Sequence, residues 1–475
     1  MRAKKRRFEQ FIFYDYSGIA DHLEKMAAKG WRLSKISGNV WTYEVIEPTE
    51  STELKYSVTY FSEASEFNPY PTENQQVFLD YCEEAGWKLA AEWAQMQILY
   101  SDRKNPIPIE TDEALKLQAI HKSMKKSFIP TGILMSVVAV MQILAQLLGL
   151  WTDPVGWFCD TARQCLLICW AMLLVGYVIV LSGYYRWRKR SKIAVAEGGS
   201  CLENIGFYRR IYTGLNGVEL FALVGWAMFT YTQQTHTSGI YALAMVAVLL
   251  LLVWAVERMK EAFKRKGMSG EKNRLITIVA CVVGTILAMG VMIGIIFHGI
   301  DRGWLSKQPV EIYVITMKNG NTWEWEIYRD ELPLTIEELT ETNHEYYSYE
   351  MTEKKSPLLN WMKARQDAPP DGKESYRLEY EIVDVKLALL YDRCLEDLME
   401  QNVGTGDPLT EQLLYWKEED PSPWGADRVY RWYQENDPYN EFVICWGDRI
   451  VRLDVDWDVP IGEEQIRVIN EKLGK

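Results

Sequence analysis

The stretch "FIPTGILMSVVAVMQILAQLLGL" at 128–150 contains no charged residue, and a helix of that length crosses roughly 30 Å of bilayer hydrocarbon. Lipid offers the backbone no hydrogen-bond partner, so such a run folds only as a helix. Four more runs approach the same length, at 165–185, 211–231, 240–256 and 275–297. They predict a transmembrane domain of five spans over 128–298. Ahead of it lie a domain at 1–109 and a basic juxtamembrane linker at 110–127, and behind it an acidic domain at 299–475.

Charge orients these segments. Residues 1–127, 128–298 and 299–475 carry net charges of -2, +7 and -18, which together give the chain its -13. The middle third concentrates its Lys and Arg at 186–210 and 257–274, whereas "WTDPVGWFCDTAR" holds a single Arg and "TQQTHTSG" none. Short loops rich in Lys and Arg stay in the cytoplasm. Two basic loops on one side need an even number of spans between them, so the run at 211–231 must cross despite Asn216 and Glu219. The N-terminus, which has no apolar leader, is then expected inside and the C-terminal domain outside. Trp151, Trp157, Tyr184, Tyr185, Trp187, Tyr231 and Tyr241 fall near the expected interfaces, where amphipathic rings are favoured.

Glu219 is the one acid in the third run. An ionisable group in hydrocarbon is a functional-site candidate by default. The plainer reading is structural, with Glu219 protonated or bonded to Asn216 in the cytoplasmic half of its helix. Gly290 and Gly294 have the spacing that lets helices approach closely, which reads as packing within one chain.

The first hundred residues echo themselves: "LEKMAAKGWRL" returns as "YCEEAGWKLA". Each echo follows a strand-like run, "FIFY" in the first case and "LKYSVTYF" in the second, and a short helix, at 19–29 and 73–85. Gly30 and Gly86 stand where a left-handed residue ends a helix. Trp31 and Trp87 then anchor an apolar hairpin, and all four residues read as structural turns. The order strand, helix, strand, strand, written twice, predicts an α+β domain with one antiparallel sheet and both helices on one face, a ferredoxin-like layer. These residues resemble the bacterial membrane proteins that carry Domain of Unknown Function 2812. The resemblance covers 8–109, implies residence in a bacterial cytoplasmic membrane, and brings no catalytic residues.

In the final third, "VEIYVITMKNGNTWEWEIYRDELPL" predicts a hairpin around Asn319 and Gly320. "VKLALLYDRCLEDLMEQN" predicts a helix with Leu387, Leu390, Tyr391, Cys394, Leu395 and Leu398 on its buried face. Strands follow at "RVYRWYQEN", "EFVICW" and "RIVRLDVDW", then a short helix, giving a second α+β domain. Asp454, Asp456 and Asp458 have the spacing of a calcium loop's first ligands, but Val459 and Gln465 occupy the positions that need Gly and Glu. The strand alternation of Val451, Leu453, Val455 and Trp457 is the simpler account. Cys394 and Cys445 leave a disulfide or two buried thiols open.

No nucleophile elbow, phosphate loop, dinucleotide fingerprint or zinc-protease motif occurs, and the five histidines are scattered. No metal, no cofactor and no catalytic residue is expected, nor is nucleic acid as a partner of so acidic a C-terminal domain. The expected partners are the bilayer and a cytoplasmic regulatory protein. The leading reading is a non-enzymatic membrane protein that links a partner-binding module inside to a domain outside, for sensing or regulation. Its rival is a component of a transport or export system.

Overall fold

The computed structural model describes residues 3–47, 53–203, 208–211, 213–214, 217, 236–301, 307–316, 322–340, 342–369, 376–400, 414–457 and 461–474. The chain divides into two compact units, 1–143 with 168–298, and 144–167 with 299–475.

The first unit opens with the duplicated module. Its first repeat is β1 (Lys4–Phe8), α1 (Tyr16–Ala27), β2 (Trp31–Ser37) and β3 (Val40–Val45); its second is β4 (Lys55–Tyr60), α2 (Glu73–Glu84), β5 (Lys88–Trp93) and β6 (Met96–Ser101). The repetition extends to backbone detail. Gly30 and Gly86 are both left-handed, with φ of +81° and +89°, and each donates its amide three residues back, to Ala27 and Glu83. Eight residues on from each, Gly38 and Ala94 open the hairpin turn with φ of +55° and +51°. A bulge interrupts β2 between Leu33 and Lys35 and β5 between Leu89 and Ala91, again at matching places.

Two expectations fail here. The strands form two three-stranded antiparallel sheets, ordered β1-β3-β2 and β4-β6-β5, in place of a single ferredoxin-like layer. Strand β2 runs beside β5, and α1 lies against β4 of the other repeat. The helices therefore do not share one face of one sheet. "FIFY" at 11–14 is not a strand either; the first strand lies at Lys4–Phe8, and all five of its residues are exposed. Apolar character marked burial, while the true edge strand is written in Lys and Arg, which guard such edges.

The expected linker is helical. Asp112 caps α3 (Glu113–Ser123) by accepting from the amides of Ala114 and Leu115, and a π-helical turn at Met124–Phe128 leads into α4 (Ile129–Thr152). After the short α5 (Pro154–Phe158) come α6 (Thr161–Ala196), α7 (His236–Arg265) and α8 (Gly270–Asp301). Among the described residues three helices are long and apolar enough to cross a membrane: 113–152, 161–196 and 270–299. Most of the third expected span, Glu219 included, lies outside the described residues; the fourth falls within α7.

The second unit is rich in sheet. β7 (Glu311–Thr316) and β8 (Thr322–Ile327) form the expected hairpin. Seven antiparallel strands, β9 (Ser348–Lys355), β10 (Leu359–Asp367), β11 (Arg377–Val385), β12 (Leu414–Glu419), β13 (Arg428–Gln434), β14 (Asp437–Trp446) and β15 (Arg449–Asp456), are ordered β12-β13-β14-β15-β11-β10-β9. One face buries Tyr380, Phe442, Val451 and Leu453 against α9 (Ile336–Leu339) and α11 (Glu463–Leu473). The other buries Val383, Val443 and Ile450 against α10 (Tyr391–Glu400) and α5. In β15, Val451, Leu453 and Val455 are buried while Arg452, Asp454 and Asp456 alternate to the opposite face, as a strand requires. Cys394 and Cys445 are buried free thiols.

The left-handed positions make a quantitative test. Nothing lies within 4 Å of a Cβ added at Gly30, so Gly30→Ala should lose the left-handed preference less the entropy gained in the unfolded chain, a net cost of about 0.5–1 kcal/mol. Ala94 already bears that strain, so Ala94→Gly should stabilise the module by about 0.5 kcal/mol after the larger entropy of unfolded Gly is subtracted. Denaturant melts of the two variants check both signs.

Candidate functional site: two grips on the apolar helices

In the first unit one hydrophobic core runs without a break from both small sheets into the helices. It includes Leu23, Trp41 and Val58 of the module, Ile120 of α3, Met124, and Val180, Tyr184 and Trp187 of α6. The misread segment at 11–14 makes the joint. Tyr14 packs edge-on against Tyr184, with ring centroids 5.1 Å apart, and against Trp187 at 5.4 Å. Phe13 faces Phe128 at 6.3 Å and Tyr60 at 5.3 Å, and the Tyr60 hydroxyl donates to the Phe13 carbonyl at 2.5 Å. Aromatic pairs of this kind are worth about 0.5–1.5 kcal/mol each beyond the area they bury. An extended strand would have sent alternate side chains to opposite faces; the irregular run keeps Ile12, Phe13 and Tyr14 all buried.

Polar contacts extend the grip. His121 Nδ1 lies 2.8 Å from the Tyr184 hydroxyl, and Trp187 Nε1 donates to the Leu202 carbonyl. Cys201, at the end of the first basic loop's described part, donates its amide to Glu113 Oε2 at 2.8 Å, and the Tyr16 hydroxyl donates to its carbonyl. Burial pushes the Cys201 thiol up to about 12, so it stays protonated and unreactive. Burial likewise pushes Glu110 up to about 7, with Lys116 opposing and Glu113 adding to the rise.

Asp15 is 1% exposed. One oxygen caps α1 by accepting from the Gly18 amide at 3.1 Å, and the other faces Arg209 at 3.6 Å. Burial raises the Asp15 carboxyl above its usual range while Arg209 opposes the rise. Arg209 belongs to a helical stretch at 208–211, just before the third expected span, and stacks over Phe11.

A second latch involves the loop after β4. Lys260 of α7 pairs with Glu66 at 3.1 Å and with Glu257 at 2.9 Å. Asn273 of α8 is fully buried and donates to the carbonyls of Phe67 and Lys260. The Lys260 carbonyl also lies within α7, where the helix supplies a donor, so loss of the Asn273 side chain would fall chiefly on the Phe67 carbonyl.

The second unit has its own grip, on the connection between α4 and α6. Asp397 of α10 is buried and accepts from the Val155 amide at 3.1 Å. Ser356 Oγ donates to the Phe158 carbonyl at 2.6 Å, and Arg393 donates to the Trp151 carbonyl while stacking over its ring. Val155, Trp157 and Phe158 complete the core beneath α10. Beside this patch the sheet sets three carboxylates in one row, Glu379, Asp454 and Glu441, directly paired across β11, β15 and β14. Like charges so placed repel. Burial, with Glu441 adding, pushes Asp454 up to about 6, and Arg377 opposes.

Of the residues singled out in the sequence, Gly30 and Gly86 occupy turns, Trp31 opens β2 and Trp87 lies just ahead of β5. Trp87 is buried and donates to the Ile107 carbonyl at 2.8 Å; Trp31 is half-buried beneath Lys5. Glu219 lies outside the described residues. Asp15, Glu66, Asn273 and Asp397 were missed. Only Asp15 carried a local signal, as an Asp just ahead of the first helix. Among the described residues no group of three His, Cys, Asp or Glu could hold a metal ion.

Residues 15–131 match the family model described as a protein of unknown function, DUF2812. The matched segment begins at the cap of α1 and ends in the first turn of α4, so it takes in the first repeat from α1 onward, the whole second repeat and the entry into the first apolar helix. No curated protein and no solved structure matches the chain.

The Asp454 shift gives a pH dependence with a definite sign. A carboxyl whose folded-state pKa stands above its ordinary 3.8 weakens the fold when ionised, so the penalty is present above about 6 and fades as pH falls toward 4.5. Asp397, also raised by burial, acts in the same direction; Glu337 and Glu379, held low by hydrogen bonds despite burial, reverse it at lower pH. His22 and His121, lowered by burial, act in the opposite direction over the same range, so the sign is read from the difference: in urea melts between about pH 4.5 and 7.5, Asp454→Asn should raise the midpoint relative to the parent protein at pH 7, and the gain should shrink as pH falls toward 4.5.

Proposed function

We propose that the chain is a non-enzymatic protein of the bacterial cytoplasmic membrane, with five spans, its repeat module inside and its large sheet domain outside, that couples the state of the outer domain to a partner held by the module. The observation that carries this reading is how charge sorts the contacts of the two units. The module shares core or buried polar contacts with residues beside both basic loops: Trp187 and Cys201 at one, Lys260 and Asn273 at the other. The loop at 151–163, with its single Arg, instead completes the core of the C-terminal sheet. Basic loops stay inside. A module built onto those loops is inside with them, and a sheet built onto the loop that lacks them is outside.

The coupling follows from which helices carry the contacts. Helices α4 and α6 each have one end in the first unit and the other in the second. A helix transmits displacement along its length as a stiff rod, and α6, which carries Tyr184 and Trp187, is about 54 Å long at 1.5 Å per residue. A change of packing beneath α10 would therefore reach Tyr184 and Trp187, where the module is held. A bistable contact at either end suffices for signalling across a bilayer.

Sidedness is checked with single cysteines introduced at exposed positions, Leu389 (93% exposed) in the sheet domain and Tyr70 (71% exposed) in the module. A membrane-impermeant maleimide should label Leu389→Cys in intact cells and Tyr70→Cys only after lysis. Protection of Leu389→Cys in intact cells would place both domains on one side and remove the basis for coupling.

A further inference from the structure

We infer that the outer edge of β1 is an interaction surface for an extended acidic segment of a cytoplasmic protein, which adds to the first sheet as a fourth strand; this rests on the reading of the module as the partner-binding end. Strand β1 stands at one edge of its sheet, ordered β1-β3-β2, so one row of its amides and carbonyls faces away from β3. Every residue of the strand is exposed. Strand addition to such an edge draws affinity from main-chain hydrogen bonds and specificity from the alternating side chains.

Those side chains specify acid. Register places Lys4 and Arg6 opposite Glu44 and Thr42 on one face, and Lys5 and Arg7 opposite Tyr43 and Trp41 on the other. A strand laid beside β1 meets cations on both faces, so acidic residues on either side of it gain a partner. Phe8, 66% exposed, ends the strand opposite the exposed Val40 and offers an apolar stop for one bulky residue. A second copy of β1 is excluded by the same charges, since Lys and Arg would face Lys and Arg. The cations do have contacts within the module: Lys4 with Glu44 at 3.1 Å, Arg7 with Glu9 at 3.1 Å, and Lys5 over Trp31. Lys4 and Arg7 are themselves exposed, although Glu9 is largely buried, and Arg6 and Lys5, which carry the test below, are exposed as well, so an incoming carboxylate can reach all four cations. Single-stranded nucleic acid fits less well, because the 1–127 region is net acidic at -2 and this face offers one exposed ring where stacking needs several.

The test uses the full chain in nanodiscs, where both faces are open to the probe, so the outcome is independent of sidedness in cells. The probe is a capped peptide alternating Glu and Val, compared with a Gln and Val version and with a uridine oligonucleotide. The acidic peptide should slow amide exchange at residues 4–8, and its affinity should fall about tenfold in Arg6→Gln and again in Lys5→Gln, as loss of a charge-assisted hydrogen bond implies. Both substitutions keep a long side chain, and unchanged exchange across α1 would show that the sheet is intact. Equal protection by the Gln peptide, no protection by the Glu peptide, or tighter binding of the oligonucleotide would each overturn the inference.

Discussion

The packing of Tyr14 against Tyr184 and Trp187 is the contact on which the first unit depends. It fuses a water-exposed α+β module to a helix that is apolar enough to cross a bilayer, and it leaves no separate interface between them. Around it the polar groups are spent on position: Asp15 caps α1 and faces Arg209, His121 meets Tyr184, and Asn273 closes the loop at Phe67. Groups buried so deeply are costly unless they are paired, and each of these has a partner. The module is thereby tied to α3, α6, α7 and α8 together.

The second unit repeats the same principle with different chemistry. A short connection between two apolar helices is taken into the core of a seven-stranded sheet, with Asp397 on the Val155 amide and Ser356 on the Phe158 carbonyl fixing its height. In the same sheet Glu379, Asp454 and Glu441 stand in register on neighbouring strands; Glu379 is paired with Lys363 and Arg377 and Glu441 with Arg452, while burial and Glu441 push the Asp454 carboxyl up. The ionisation of Asp454 makes the stability of the sheet depend on pH. On the proposed reading that sensitivity is what the outer domain contributes.

Much of this was legible in the sequence wherever a residue had one physical reason to be where it is. Gly30 and Gly86 had to be left-handed, and the bulges and hairpin turns followed in step. Uncharged runs announced α4, α6 and α8 because hydrocarbon admits nothing else. The misreadings arose where one signal had two causes. "FIFY" was apolar because it is buried, and burial does not imply a strand; β1 is a strand whose edge position calls for charge, which hides it. Strands β9, β10, β11 and β12 escaped notice for a similar reason, since charged residues crowd one face and blur the alternation. The division into two small sheets could not be read either, because it depends on β2 lying beside β5 without joining it in a ladder.

The central claim is that a change beneath α10 reaches the module. Asp397→Asn keeps an oxygen that can accept from the Val155 amide but removes the carboxylate's charge, and the substitution lies in the second unit. Amide exchange of the full chain in nanodiscs measures the consequence directly. The account predicts faster exchange at 153–160, where the contact is weakened, and altered exchange at 11–16, where Tyr14 meets Tyr184. A change confined to 153–160, with 11–16 identical to the parent protein, would contradict it.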